Sequence, residues 1–224
     1  MRTPGADTYQ ILRNRVVTGE LAGGTRLVNR TLGKEMGVSH VPVREALHRL
    51  VSDGLVEHIP GAGSFVRTVT GEDLSHLYSL RELLEGFAVR EACAHATEWQ
   101  VRVLQKKIAQ GHELVDRVRA GGQDNLNNDE QKAWFDHEQE LHQAIIDAAA
   151  NPWLTKMVEQ VQLLARVIQS NPLQLTLDGV EAVLSEHEGL VKSIIQKDAE
   201  KASALIASHI RTGFENQLLR FEGA

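Results

Sequence analysis

The feature that most constrains this chain is the very short connection between two helical segments near its N-terminus. Asn29 is placed to cap the first segment, which is about two turns long and ends at Gly37. Ser39 is placed to cap the second segment, so only Val38 separates the two. A connection this short forces two helices to cross at a steep angle. The pattern therefore predicts a helix-turn-helix.

One helix precedes this motif and two strands follow it. Residues 7–18 carry apolar side chains at helical spacing, and Gly19 stands where a helix end favours glycine. Segments 55–59 and 64–67 are typical of strands, and the stretch between them, rich in proline and glycine, is typical of a tight turn. Together these elements predict a winged helix-turn-helix domain in residues 1–70.

From Thr70 onward the pattern is helical almost without interruption. Thr70 and Asp73 form a start that resembles a capping box, which places the domain boundary near residue 70. Breakers divide residues 71–224 into six or seven helical segments, with a loop through Pro172 and a turn around Asp198. We therefore predict a mainly α protein, with an N-terminal winged helix-turn-helix and a C-terminal antiparallel all-α bundle of six or seven helices.

Charge is distributed unevenly between these two parts. Residues 1–70 contain 9 Lys and Arg against 6 Asp and Glu, whereas residues 71–224 contain 15 against 24. A basic part suits a phosphate backbone and an acidic part repels one, so nucleic-acid contact is expected only in the first third of the chain. The single cysteine excludes an intrachain disulfide, and no secretory signal or membrane-length apolar run occurs. We expect a cytoplasmic protein without membrane contact.

The second helix of a helix-turn-helix enters the major groove with its N-terminus first, so its first residues meet base edges and phosphates. Arg44 faces away from the apolar contacts of that helix and has a fork suited to guanine or phosphate. Winged helices also serve in protein contacts, which is the alternative interpretation. The candidate DNA-binding residues, on the two helices and in the wing, are Arg30, Ser39, His40, Val41, Arg44, Arg49, Gly61 and Gly63.

The same residues carry a resemblance to a known family. Residues 37–47, which read Gly-Val-Ser-His-Val-Pro-Val-Arg-Glu-Ala-Leu, together with residues 63–66 resemble the winged helix of GntR-family regulators. In that family the residues matching Arg30, Ser39, Arg44 and the wing glycine contact operator DNA. The resemblance therefore implies operator binding by this domain.

The resemblance fails at two positions of the recognition helix. His40 and Val41 stand where the family commonly has arginine and then threonine or serine. A long donor is thus replaced by a short imidazole, which implies a different or weaker operator preference rather than a loss of binding.

Four residues of the C-terminal part have the spacing of a metal site. Glu138 and His142 are four residues apart on a predicted helix and so share a face. His187 and His209 each lie 11 residues from Asp198, so an antiparallel hairpin that turns there places them at the same level. Three imidazoles and one carboxylate suit Zn²⁺ first, with Ni²⁺ and Mn²⁺ as alternatives. The competing interpretation is polar surface, since the chain contains ten histidines.

A second resemblance covers residues 73–215, which are similar to the FCD ligand-binding domain of the FadR subfamily of GntR regulators. It rests on residues 80–86, on the segment around His142, and on residues 186–209. That domain binds a metal through an Asp-x-x-x-His pair and two later histidines, which map onto the four positions above. Glu138 replaces the aspartate of the family and reaches one methylene further.

Arg81 is the candidate residue for binding an effector. It shares a predicted apolar helix face with Leu77 and Leu84, where a charge needs a partner. A carboxylate ligand would supply that partner, and the alternative is a pair with Glu85 in the less favourable order along the helix. Because FCD pockets hold carboxylate metabolites beside the metal, the resemblance implies a small organic-acid effector.

These observations favour a transcription regulator that responds to a metabolite and is not an enzyme. We expect it to bind double-stranded operator DNA as a homodimer, because operators read by such domains usually have two matching half-sites. Two alternatives stay open. One is a metal-ion sensor in which the ion itself is the effector, and the other is a metal-dependent hydrolase, for which no separate general base occurs at a sensible spacing.

Overall fold

The computed structural model describes residues 4–168 and 175–222. In that part of the chain the helices are α1 Pro4–Val17, α2 Asn29–Met36, α3 His40–Ser52, α4 Gly71–His95, α5 Glu98–Ala120, α6 Asn128–Ala148, α7 Pro152–Ile168, α8 Leu177–Ile195 and α9 Ala199–Glu222. The strands are β1 Arg26–Leu27, β2 Val56–Ile59 and β3 Gly63–Val66. The predicted fold class is confirmed. Most of the loop predicted through Pro172 lies outside the described residues.

The described residues form two compact units. Residues 4–77 and 160–168 belong to the first unit, and residues 78–159 and 175–222 belong to the second. Helix α4 is divided between the two units after residue 77, and helix α7 is divided between them after residue 159. A single boundary in the sequence therefore does not separate the two units. The predicted boundary at residue 70 stays a prediction. Among the described helices, none is long and apolar enough to cross a membrane.

Helix α3 is central to the first unit and packs against α1 and α2. Its predicted apolar stripe is buried, as Val43 and Leu50 illustrate, and it joins Leu12 and Val16 of α1 in one core. Burying a side chain of this size stabilises a fold by about 1.5–3 kcal/mol. The helical spacing of apolar residues therefore predicted this core correctly.

The turn between α2 and α3 depends on a close approach of the backbone. Gly37 has a φ of 66°, in the left-handed region that favours glycine. Gly33 is buried inside α2, and a Cβ there would lie 2.9 Å from the carbonyl oxygen of Val38. Because only glycine permits that distance, Gly33 allows the start of α3 to cross close to α2.

Two predicted helix caps differ in the structure. Val28 is the N-cap of α2, so the prediction that Asn29 caps this helix is wrong, because the backbone of Asn29 is already helical. Ser39 is the N-cap residue of α3, but its side chain forms no capping hydrogen bond. The predicted Thr70 capping box is confirmed, since the backbone amide of Asp73 donates to the Thr70 hydroxyl over 3.1 Å and that of Thr70 donates to the Asp73 carboxylate over 2.9 Å.

The wing is a three-stranded antiparallel sheet in the order β1-β3-β2. Strands β2 and β3 form the predicted hairpin, with Val56 opposite Val66. Strand β1 was not predicted as a strand; its residue Arg26 lies opposite Phe65. A strand of two residues shows no periodicity, so only its pairing with β3 reveals it.

Helices are the main elements among the described residues of the second unit, where α5 packs against α6 and α8, and α8 packs against α9. Helices α8 and α9 are joined by a turn in which Lys197 has a φ of 59°. Asp198 caps α9, because its carboxylate accepts a hydrogen bond from the backbone amide of Lys201 over 3.1 Å. The predicted turn at Asp198 is therefore confirmed, and it fixes the register of the two helices that carry the candidate histidines.

Candidate metal centre and nucleic-acid interface

Three helices bring the four predicted metal ligands together. Helix α6 carries Glu138 and His142, α8 carries His187, and α9 carries His209. Each residue offers one ligand atom, and these atoms all lie within 4.8 Å of one another. The three imidazole centroids are 4.7 to 5.4 Å apart. A tetrahedral Zn²⁺ with Zn–N distances of about 2.0–2.1 Å holds its ligand atoms about 3.4 Å apart, so these four donors can bind one ion after shifts of about 1 Å.

Several polar atoms of this cluster are buried without a partner. His187 is 0% exposed, yet neither of its ring nitrogens has a hydrogen bond among the described residues. Its Nδ1 lies 3.2 Å from Oε1 of Glu138, but that oxygen too has no hydrogen bond. Leaving a buried polar atom unsatisfied costs about 1–3 kcal/mol. A divalent cation would bind Oε1 of Glu138 and one of the two ring nitrogens of His187, so the donor set fits a metal ion.

Burial also sets the protonation of the cluster. It raises the pKa of Glu138 to about 7, although the charges of His142 and Arg81 oppose the rise. Burial likewise lowers the pKa of His187 well below its ordinary value, with His142 next in importance, and lowers the pKa of His209. These two rings are therefore neutral at neutral pH, which is the form of histidine that binds a metal.

Two carboxylates outside the cluster hold two of its imidazoles. Glu85 of α4 contacts Nδ1 of His142 through Oε2 over 2.7 Å. Glu186 of α8 contacts Nδ1 of His209 through Oε2 over 2.8 Å. The sequence analysis assigned neither residue to the site. In the sequence, Glu186 could be noticed because it is next to His187. Only the packing of the helices shows that it contacts His209 instead.

Arg81 lies beside this cluster and already has a protein partner. Its Nε donates to Oε1 of Glu85 over 2.9 Å, and its guanidinium carbon lies 5.0 Å from the centre of the Tyr78 ring. The side chain is 13% exposed, so the pair with Glu85 is buried rather than on the surface. Binding of an effector by Arg81 stays a prediction.

The predicted DNA-binding residues of the two helices are all exposed. Arg30 lies in the first turn of α2, and Arg44 lies in the first half of α3. At the wing, Gly61 has a φ of 78° and Gly63 a φ of 114°, both in the left-handed region. The other exposed candidates at the start of α3 are Ser39, His40 and Val41. The hydroxyl of Ser39 is available to a ligand, since it does not cap its helix.

Arg49 has an intramolecular contact that the sequence did not indicate. Its guanidinium carbon lies 3.9 Å from the centre of the Tyr9 ring on α1. The Tyr9 hydroxyl donates in turn to Asp53 over 2.7 Å. Arg49 therefore helps to join α1 to α3, and its role in DNA binding stays a prediction.

The structure also adds Arg26 to the basic residues near the wing. A Cβ built on Gly63 would lie 3.5 Å from Nε of Arg26, and the Arg26 side chain is exposed. Sequence reasoning missed Arg26 because β1 was not predicted. Its position on the outer strand places a guanidinium beside the turn between β2 and β3.

Comparisons with known proteins match both parts of the chain. The FCD domain matches residues 76–212, and the description "Bacterial regulatory proteins, gntR family" matches residues 4–66. The chain is 25% identical over 209 residues to the uncharacterized HTH-type transcriptional regulator YdhC of Bacillus subtilis, with 93% of this chain and 88% of that protein covered. It is 26% identical over 216 residues to the HTH-type transcriptional repressor GlaR of Escherichia coli, with 95% and 94% covered.

A solved structure shows a similar fold. The structure of E. coli McbR/YncC superposes with a TM-score of 0.77 at 21% identity, and the match covers 99% of this chain and 100% of that chain. At this identity the similarity concerns the fold alone.

Proposed function

Because this chain belongs to the GntR family of bacterial regulatory proteins and its C-terminal part is an FCD domain, we propose that it is a transcription regulator controlled by a small carboxylate ligand that binds near a metal ion. Membership of this family makes it a DNA-binding regulator and not an enzyme. Placement in the FadR subfamily is part of the proposal and is supported by the FCD match. Such a regulator acts in the cytoplasm, where operator DNA lies.

The observation that carries the metal part of the proposal is the convergence of Glu138, His142, His187 and His209 around buried polar atoms without partners. In the part of the chain that the structure describes, six buried side-chain nitrogen or oxygen atoms lack a hydrogen bond, and three of them belong to Glu138 and His187. An ion bound by the carboxylate oxygen of Glu138 and by one ring nitrogen of His187 would remove most of this cost.

Zn²⁺ is the proposed ion, with Ni²⁺ and Mn²⁺ as alternatives. Three imidazoles and one carboxylate suit late first-row divalent ions. When bound, the ion would supply a positive charge and could bind an anionic ligand by expanding its coordination beyond the four protein ligands. Glu138 can then stay ionised, since the ion replaces the solvation that this carboxylate loses on burial.

Arg81 is the proposed second anchor for the effector. Its Nε is engaged with Glu85, while the guanidinium carries two further nitrogens on the same planar fork. The coulombic interaction between Arg81 and the carboxylate of Glu138 supports the placement of Arg81 beside the metal cluster. A small organic acid could therefore bind the ion with one carboxylate oxygen and the guanidinium with another.

We propose that the operator is bound by α3, the wing and the first turn of α2. Arg44 is the proposed base-reading residue and Arg30 a phosphate contact, with Ser39, His40, Val41, Arg49, Gly61 and Gly63 completing the surface. A regulator of this kind would work as a homodimer, so that two winged helices reach two half-sites. The exposed apolar residues Leu80, Leu83 and Phe87, at helical spacing on α4, support a contact with a second copy.

The test is a fluorescence polarisation assay with DNA from the region upstream of the protein's own gene. We expect salt-dependent binding, with release when an organic acid from a screened panel is added to the Zn²⁺-loaded protein. Light scattering on the same sample is expected to give the mass of a dimer. Absence of salt-dependent binding would contradict the operator proposal.

Metal analysis and chelation test the second half of the proposal. We expect one divalent ion per chain and a loss of the acid response after chelation. If Zn²⁺ alone changes operator affinity and no acid does, the protein is instead a sensor of the metal ion. A purified protein that binds no divalent ion would contradict the metal site.

A further inference from the structure

Glu85 has an unusual environment for an acidic residue. It lies in the middle of α4, and its side chain is 3% exposed. Each carboxylate oxygen has its own partner: Oε1 accepts from Nε of Arg81 over 2.9 Å, and Oε2 lies 2.7 Å from Nδ1 of His142. The carboxylate therefore joins the candidate effector anchor to a candidate metal ligand.

We propose that Glu85 is a positioning residue of the metal centre, which holds His142 as the tautomer with its proton on Nδ1 so that Nε2 faces the ion, while Arg81 keeps the carboxylate in place. This inference rests on the metal site of the proposed function. It concerns a residue that binds neither the ion nor DNA itself.

The tautomer follows from hydrogen-bond chemistry. An ionised carboxylate can only accept hydrogen bonds, so the imidazole nitrogen that it contacts must carry the proton. In a neutral ring the other nitrogen then has the free lone pair that a metal needs. Metal-binding histidines in proteins usually donate their second nitrogen to a carboxylate or carbonyl in this way.

Arg81 explains why Glu85 can stay ionised inside the protein. The Glu85 side chain is only 3% exposed, and its Oε1 accepts from Nε of Arg81 over 2.9 Å, so a guanidinium charge lies directly beside the buried carboxylate. Without a cation beside it, a buried carboxylate tends to take up a proton and could then donate to Nδ1. The guanidinium therefore stabilises the form of Glu85 that selects Nε2 of His142.

Glu186 gives an internal comparison. It contacts Nδ1 of His209 over 2.8 Å, but its side chain is 39% exposed against 3% for Glu85. Water can replace an exposed acceptor more easily than a buried one. Glu85 should therefore contribute more than Glu186 to the orientation of the imidazoles.

The substitution Glu85→Gln isolates this role because glutamine has nearly the same shape. Its amide has one oxygen that accepts and one nitrogen that donates. Both neighbours of Glu85, Nε of Arg81 and Nδ1 of His142, are donors in the proposed arrangement. Glutamine can accept from only one of them, so either His142 or Arg81 loses its partner.

The experiment measures the tautomer and the metal affinity separately. Long-range ¹H–¹⁵N NMR spectra of the metal-free protein are expected to show His142 with its proton on Nδ1 and a free lone pair on Nε2. Competition with a chelator is expected to show Zn²⁺ binding about 10–100-fold weaker in Glu85→Gln. The matched control is Glu82→Gln on the same helix, which removes an exposed carboxylate paired with Arg211. It should change the Zn²⁺ affinity by less than about twofold.

Two results would overturn the inference. One is a wild-type His142 that carries its proton on Nε2, a measurement that needs no variant to fold and no metal to bind. The other is a folded Glu85→Gln protein that keeps the wild-type Zn²⁺ affinity. If instead the wild-type protein binds no Zn²⁺ at all, the proposed metal function fails, which is distinct from the failure of Glu85 as a positioning residue.

Discussion

The winged helix and the metal centre use their polar residues in opposite ways. The candidate DNA-binding residues, such as Arg30 and Arg44, are exposed on short helices whose apolar faces form the core. The candidate metal centre instead buries His142 and His187 between helices, and some of its polar atoms have no partner among the residues that the structure describes. An exposed arginine adds little to the stability of the free protein, whereas a buried unpartnered imidazole destabilises it. The comparison predicts that binding of the proposed ion stabilises the protein, whereas the exposed arginines contribute little to its stability.

Removal of the metal ion is expected to give the largest change in the free energy of unfolding. It tests directly whether the candidate metal centre needs its ion for stability. With Zn²⁺ at about 1,000 times its Kd, the free energy of unfolding should exceed that of chelated protein by about 4 kcal/mol. His187→Ala should abolish this increase, because it removes the most buried ligand. His112→Ala, which changes an exposed histidine on α5, should keep it. Denaturant titration with and without chelator measures each increase, and equal increases in the two variants would contradict the assignment of His187.

Arg44→Ala should affect only the surface site. We expect operator binding to weaken by about 1–3 kcal/mol, because an arginine that contacts a base edge is lost. The free energy of unfolding and the Zn²⁺ affinity should stay unchanged, since Arg44 is exposed. Arg102→Ala, an exposed arginine of α5, is the charge-matched control and should leave operator affinity unchanged. Fluorescence polarisation titrations at one salt concentration measure the operator affinities of Arg44→Ala and Arg102→Ala. Equal affinities of the two variants would contradict the role of Arg44.

Alanine substitutions of two helical glycines are expected to change the stability of the protein in opposite directions. Gly33→Ala should destabilise the protein by about 1–3 kcal/mol, because its Cβ would lie 2.9 Å from the carbonyl oxygen of Val38. Gly86→Ala should stabilise it by about 0.5–1 kcal/mol, since no atom lies within 4 Å of the added Cβ and alanine favours a helix. Thermal unfolding of both variants is the measurement. A Gly33→Ala protein with unchanged stability would show that α2 and α3 can move apart without a loss of stability.

Arg49→Ala is expected to have the smallest effect and sharpens the limits of the DNA-binding surface. Loss of the contact with the Tyr9 ring should lower the free energy of unfolding by about 0.5–1 kcal/mol. If Arg49 also contacts a phosphate, the salt dependence of operator binding should decrease by about one ion. An unchanged salt dependence would restrict Arg49 to packing against α1.

The elements with strong local signals were predicted well. The caps, breakers and apolar spacing of residues 71–222 predicted six or seven helices, and the described residues contain six, from α4 to α9. Strand β1 was missed because two residues carry no periodic pattern. The cap at Asn29 was wrong because its neighbour Val28, which has no capping side chain, takes that position.

The sequence predicted which four residues converge in the candidate metal centre, but not which residues surround them. Glu138 and His142 are one helical turn apart on α6. His187 and His209 are equally far from Asp198 in the sequence, and the hairpin of α8 and α9 brings them together as this spacing predicted. The contact of Glu85 with His142 joins residues 57 positions apart on two helices, and no spacing rule covers it. The contact between Arg49 and Tyr9 is non-local in the same way.

The sequence by itself determined the helix-turn-helix, the turn at Asp198 and the identity of the four converging residues, because each depends on residues that are close in sequence or related by one hairpin. Only the tertiary structure decided which buried atoms lack partners and which carboxylate holds each imidazole. It also decided that position 33 requires a glycine. Those properties depend on how separate helices pack, and the free energy of a buried polar group is set by every element that surrounds it.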